Sequence, residues 1–242
     1  MSIQLVGEKD GRLFVQKEGA DFINQITGRV SVIAVAGPYR TGKSVLLNKL
    51  LGKPIFGVGG TIKAHTRGLW VAGSKKGDGE NIIVLDTEGL GSLEQSFAYD
   101  SQILTLALLL SSVLILNTMG TINESALDML QLVVNCAQRL TDSSTASSNS
   151  IQFPFFYWIL RDFSLMLQDN DGNPITSTEY LEQALRPQPA NVRNAQEKNN
   201  IRKLLTTVFP ARDCEVLVRP VVDEAKLQVL DKLPVDQLRF FF

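Results

Sequence analysis

From Val30 to Leu51 the chain passes from an apolar run, VSVIAVA, through the glycine-framed stretch GPYRTGKS into SVLLNKLL, where Val45, Leu46, Leu47, Leu50 and Leu51 recur at helical spacing. Strand, glycine loop and helix in that order leave few folds open. A G-x-x-x-x-G-K-S loop in this setting turns backbone N–H groups inward and adds the positive end of the helix, which makes a cradle for phosphate. Gly37, Tyr39, Thr41, Gly42 and Val45 would line that cradle, Lys43 would reach the β and γ phosphates, and Ser44 would ligate Mg²⁺. The alternative is an ordinary strand-to-helix turn with a surface lysine. Arg40 has no part in either account, and on its own reads as a solvated loop charge.

The remaining pattern extends this unit into an α/β sheet. NIIVLD, Asn81 to Asp86, reads as a second buried strand, followed by a glycine-broken loop and a helix from about Ser96 to Leu110. VLILN, Val113 to Asn117, is the third strand, and apolar residues from Leu127 to Leu140 recur every three or four positions as an amphipathic helix over Glu124 to Leu140. FPFFYWILRD supplies a fourth strand, helices are expected at about Thr178 to Leu185 and Asn191 to Val208, and CEVLV, Cys214 to Val218, is a fifth strand. Strands alternating with helices predict a mostly parallel sheet covered on both faces. Gly68 to Gly73 and the SKKGDGE stretch read as a hairpin feeding NIIVLD, hence an antiparallel edge. The polar run TDSSTASSN, within residues 141–150, is expected to be a mobile surface loop of the same single domain, residues 1–242.

A phosphate loop needs companions on neighbouring strands. Mg²⁺ keeps several waters and needs an outer carboxylate anchor, and Asp86, at the end of NIIVLD, is placed for it. In the following Thr-Glu-Gly, Gly89 N–H could approach a γ-phosphate and Glu88 could hold a water, although DTEG could also be a capped turn. Between the loop and that strand, GVGGTIKAHTRG offers Thr61 and Thr66 as hydroxyl ligands. His65 is the sole histidine, with either a role near the γ-phosphate or a structural hydrogen bond. Asp162 ends the FFYWIL strand, where a carboxylate could accept from guanine N1–H and its exocyclic amine, a pair adenine lacks. The common Asn-Lys-x-Asp guanine motif is absent, and the alternative for the Arg161-Asp162 dipeptide is an ion pair or a helix cap.

Composition narrows the classes of function. At 242 residues, 44% hydrophobic and 20% charged, with a formal net charge of −1, the chain is globular and has no bulk attraction for nucleic acid or an anionic membrane. Its two cysteines, Cys136 and Cys214, form neither a disulfide framework nor a zinc pattern. No secretory or lipidation motif is visible, so a cytoplasmic setting is expected. The apolar part of ILTLALLLSSVLILNTMG is interrupted by Thr105, Ser111 and Ser112 and is short of the roughly 20 residues a spanning helix requires. It reads as a helix end running into a strand.

GPYRTGKS, AHTRGLW, LDTEGLGS, LRDFSL and VLVRP, in that order, resemble the guanylate-binding protein family of dynamin-like large GTPases, with its atlastin relatives. The resemblance implies a P-loop NTPase fold of three layers, αβα, in which Lys43 and Ser44 bind phosphate and Mg²⁺. Thr66 and Asp86 then complete the metal site, and Asp162 reads guanine. It also gives Arg40 a role as an internal arginine finger that swings toward the transferring phosphate when two domains meet face to face, so a nucleotide-dependent homodimer is implied. Arg219-Pro220 resembles the family's guanine cap, or is a plain strand exit. Two departures stand out: Ala64 replaces a serine common before His-Thr, and the chain, shorter than family GTPase domains and their helical stalk, looks truncated or minimal.

Three functions remain open on the sequence. The first is Mg²⁺-dependent hydrolysis of GTP to GDP and phosphate, with or without further cleavage to GMP. The second is a nucleotide-gated interaction module with little hydrolysis, which Ala64 favours. The third is a P-loop ATPase or kinase that abandons the base reading at Asp162. Any membrane contact would be indirect or through regions outside this chain.

Overall fold

The computed structural model describes residues 1–58, 67–75, 80–91, 96–142 and 152–239. Two short strands open the chain, β1 (Ile3–Lys9) and β2 (Arg12–Val15), then α1 (Lys17–Asn24). The phosphate-loop unit is β3 (Arg29–Ala36) and α2 (Lys43–Leu50). β4 (Leu69–Lys75), β5 (Glu80–Thr87), α3 (Phe97–Leu110), β6 (Val113–Met119) and α4 (Glu124–Asp142) follow. β7 (Phe155–Arg161), α5 (Ser177–Ala184), α6 (Ala195–Val208), β8 (Arg212–Leu217) and a short α7 (Glu224–Leu227) complete the order.

The strands form one eight-stranded sheet in the order β2-β1-β4-β5-β3-β6-β7-β8. β5, β3, β6, β7 and β8 run parallel, while β4, β1 and β2 add an antiparallel edge. Because residues alternate faces along a strand, β3 sends Ala34 and Ala36 to one side and Val35 to the other. The first side packs with Leu114, Trp158 and Leu160 against Leu104 and Ala107 of α3, Leu127 and Val134 of α4, and Ile201 and Leu205 of α6. The second packs Val84, Ile115, Ile159 and Leu217 under Leu46 and Leu47 of α2 and Phe56. Helices on both faces make this a three-layer α/β fold with a mostly parallel sheet and an antiparallel edge.

Local chemistry sets the boundaries. Ser96 caps α3 by accepting from Tyr99 N, and the helix, apolar from Ile103 onward except at Thr105, ends at Leu110 before β6. Ser112 closes the turn by exchanging bonds with Val32 N and O at 3.1 and 2.8 Å. No described helix is long and apolar enough to cross a membrane. The helix expected from Asn191 starts only at Ala195, because Asn194 stands in the left-handed region at φ 57°. α4 runs to Asp142, past the expected start of the polar loop. Residues 143–150 of that loop, and Phe240 to Phe242, lie outside the described residues.

Behind β8 the chain folds back over α2. Val221, Leu230 and Leu238 bury against Val45, the residue after Ser44. Lys49 Nζ donates to Leu233 O at 2.8 Å. The tail therefore steadies the helix that carries the phosphate loop.

Candidate functional site

Parallel strands bring their exit loops to one edge of the sheet. Register pairs Val35 with Asp86, so the loop after β3 lies beside the end of β5. Ser44 Oγ donates to Asp86 Oδ2 at 2.6 Å. Lys43 is buried and its Nζ donates to Pro38 O at 3.1 Å, inside its own loop. Burial pulls this ammonium down to about 8, against the opposing pull of Asp86, Glu88 and Asp100.

The loop is pinned on two sides. Asn117, at the end of β6 and fully buried, donates from Nδ2 to Thr41 O at 2.9 Å, while Thr41 Oγ1 donates to Pro38 O at 2.9 Å. On the other side Tyr39 N donates to Leu90 O at 2.8 Å and Leu90 N to Gly37 O at 3.0 Å. Gly89 packs so closely here that a Cβ would lie 2.4 Å from Tyr39 Cα. Between these anchors Arg40 is exposed, in the left-handed region at φ 61°, with its guanidinium 5.1 Å from the Tyr39 ring centroid.

Glu88 is almost fully buried. Its Oε2 accepts from Tyr99 Oη at 2.6 Å and from Gly68 N at 2.8 Å, and its N–H donates to Gly68 O at 2.9 Å. Asp100, one residue along α3, accepts from Gly91 N at 2.6 Å, and burial pushes its carboxyl up.

At the end of β7, Arg161 is buried and its Nη1 lies 3.5 Å from where a Gly42 Cβ would stand. Desolvation lowers this guanidinium, against the pull of Asp162. Asp162 is half-buried in the left-handed region, φ 54°, and no helix follows it, so it caps none. Phe163 N donates to Leu217 O at 3.1 Å, which runs the β8 exit beside Asp162. There Arg219 Nη2 donates to Glu224 Oε2 at 2.7 Å. Lys43, Ser44, Asp86, Gly89, Arg161 and Asp162 thus share one edge of the sheet. Thr61, Ala64, His65 and Thr66 lie outside the described residues.

A family model described as guanylate-binding protein, N-terminal domain, matches residues 10–242. The chain belongs to the guanylate-binding protein family. Guanylate-binding protein 1 of Chlorocebus aethiops is 40% identical over 246 residues, 97% of this chain and 41% of that protein. Guanylate-binding protein 2 of Homo sapiens is 39% identical over 249 residues, 98% of this chain and 42% of that protein. The chain spans about two fifths of the length of these relatives. Among solved structures, Toc33 from Arabidopsis thaliana is 13% identical with a TM-score of 0.43, covering 82% of this chain and 74% of its own, a likeness too slight to carry an argument.

Within this guanylate-binding protein fold, the Ser44 hydroxyl and Asp86 carboxylate form an oxygen-only donor pair, which suits a hard ion such as Mg²⁺. Three contributors carried no assignment in the sequence: Asn117, Tyr99 and Asp100. Asn117 had a visible signal, an amide at the end of the apolar run VLIL. Tyr99 and Asp100 had only their place in the first turn of a helix.

Proposed function

We propose that this guanylate-binding protein domain binds GTP with Mg²⁺ at the edge described above and hydrolyses it to GDP and phosphate. The observation that carries the reading is the convergence of Lys43, the Ser44–Asp86 pair and Asp162 at the ends of β3, β5 and β7. Backbone amides of Arg40 to Val45, running into the start of α2, meet the phosphates, Gly37 and Tyr39 shape the loop around them, and the Lys43 ammonium reaches the β and γ groups. Ser44 and Asp86, with Thr66, would hold Mg²⁺, whose bound charge offsets that of the phosphates. Asp162 accepts from guanine N1–H and the exocyclic amine, with Arg161 beneath the phosphate loop and Arg219 on the neighbouring exit as a cap.

Hydrolysis transfers the γ-phosphoryl group from the β–γ bridging oxygen to a water: the bridging P–O bond breaks with its electron pair left on GDP, the new P–O bond forms to the water oxygen, and the water's proton passes to an oxygen of the departing phosphate. Glu88 Oε2 is occupied by Tyr99 and Gly68, so Oε1 is the oxygen that orients the water, with His65 near the γ-phosphate. Gly89 N–H and Arg40 meet charge growing on the phosphoryl oxygens. A finger of this kind contributes about 10³–10⁵ in rate. Arg40 sits at the exposed tip of the loop, so a second copy docked face to face is the means of turning it inward.

The test is phosphate release from GTP and ATP over a protein dilution series, with products identified. Turnover per chain should rise with protein concentration for GTP alone. Tight GTP binding without phosphate release selects instead a nucleotide-gated interaction module, the reading that Ala64 favours. Asp162→Asn should cut the preference for GTP over ATP by about tenfold or more, the worth of a charged hydrogen bond; an intact preference refutes the base assignment.

A further inference from the structure

We infer that Tyr99 is a positioning residue for the reaction, fixing the Glu88 carboxylate and, through it, the placement of the segment entering β4 against the segment leaving β5. The inference rests on the nucleotide site proposed above. Two residues, Gly68 and Glu88, are joined twice: Glu88 N–H donates to Gly68 O at 2.9 Å, and Gly68 N–H returns to Glu88 Oε2 at 2.8 Å. The Tyr99 hydroxyl then donates to that same oxygen at 2.6 Å. Two donors on one carboxylate oxygen define its rotamer and leave the other oxygen with one direction to face.

The segment it holds has little freedom. Gly68 is in the left-handed region at φ 73°, and a Cβ there would come within 2.0 Å of Val6 O. Arg67 O accepts from Gln4 Nε2 at 2.9 Å and from Trp70 Nε1 at 2.8 Å. Thr66, a proposed Mg²⁺ ligand, immediately precedes Arg67 in the sequence. The clasp therefore ties a metal-side segment to the Glu88–Gly89 segment and anchors both to α3.

Both partners are shielded from water, Glu88 at 2% and Tyr99 at 6% exposure, which strengthens the bond. Burial, and next the bond to Glu88, push the phenol's ionisation well above its ordinary value, so it remains a donor throughout the neutral range. A ring that only filled space would not need its hydroxyl.

Tyr99→Phe keeps the ring and removes that single donor. With the whole chain, Mg²⁺ and GTP, kcat should fall about tenfold while KM for GTP and Kd for GDP stay within about twofold, the pattern of an interaction made mainly in the transition state. A kcat within twofold of wild type, or a GDP affinity that falls in step with kcat, overturns the inference. Should the wild-type chain release no phosphate at any concentration, the reaction reading fails instead, and Trp70 decides the clasp alone. Iodide reads Trp70 because Trp158 is 1% exposed. Stronger quenching of GTP-loaded Tyr99→Phe than of wild type upholds the clasp, and equal quenching overturns it.

Discussion

Arg40 carries a side chain in a backbone conformation, φ 61°, that costs an L-residue roughly 1–2 kcal/mol and that glycine adopts freely. The hydrogen bonds that hold the two shoulders of the loop come from Asn117 and Leu90, and the arginine side chain adds its stacking on the Tyr39 ring. Arg40→Gly should therefore leave the melting temperature unchanged or raise it by a few degrees, while turnover drops by at least about tenfold and loses its dependence on protein concentration. A lower melting temperature with turnover retained would assign Arg40 to the fold. Lys43 presents the opposite case, a charge kept where burial opposes it. Its folded value, about 8, lies below the ordinary 10.5, so between these two pH values the unfolded chain binds a proton that the folded chain does not. Stability should rise with pH across that window. Below it, the buried charge costs roughly 3 kcal/mol at 1.36 kcal/mol per unit. Nucleotide-free Lys43→Met should accordingly melt above wild type at pH 7, with the gap closing toward pH 10, even though nucleotide binding is lost. A variant that melts well below wild type at pH 7 would show that the ammonium supports the loop.

Among the elements, α4 and α6 are joined by an ion pair at the N-terminus of α4. Arg202 is 4% exposed, donates to Glu124 from Nη1 at 3.2 Å and Nη2 at 2.5 Å, and donates to Ala184 O from Nε. The Arg202 hydrogen bond holds the Glu124 carboxyl below its usual value, so its stabilising contribution is present above the ordinary 4.5 and lost as pH falls below it. Glu124→Gln should lower the melting temperature by several degrees at pH 7, because a buried guanidinium loses its counter-charge. Near pH 3.5 the difference should shrink; a difference independent of pH would assign the loss to packing. The elements also show where sequence pattern is sufficient. Buried parallel strands such as VSVIAVA and NIIVLD are legible because both faces demand apolar side chains, and the order strand–loop–helix then dictates that Ser44 meets the end of the next strand. β2 and α1 were not legible: RLFV is short, mostly exposed and paired on one side only, and α1 buries little besides Gly19. Asn117 and Tyr99 act on Thr41 and Glu88, partners distant in sequence or on another element, so their roles depend on what the completed sheet and α3 set opposite them.

At the scale of the whole molecule, the proposed nucleotide contacts come from the exits of β3, β5, β7 and β8, which sit on both hydrophobic layers, and from α2, which the tail residues Val221, Leu230 and Leu238 cover. A ligand held by all of them must be released when any one opens, so binding energy is transmitted to the global unfolding equilibrium rather than to a single loop. Guanosine nucleotide with Mg²⁺ at about one hundred times its Kd should add roughly 2.7 kcal/mol, a rise of about 5–11 °C for a chain of this size. ATP at the same concentration should raise the melting temperature by much less, since it lacks the two donors that Asp162 accepts. The same comparison on Leu230→Ala separates the tail from the site: the variant should melt lower without nucleotide yet keep most of the nucleotide-induced rise, because Leu230 packs on the Val45 side chain behind α2, whereas the proposed nucleotide contact at Val45 is its backbone amide. A rise that vanishes in Leu230→Ala would make the tail part of the binding surface, and equal rises with GTP and ATP would remove guanine from the description altogether.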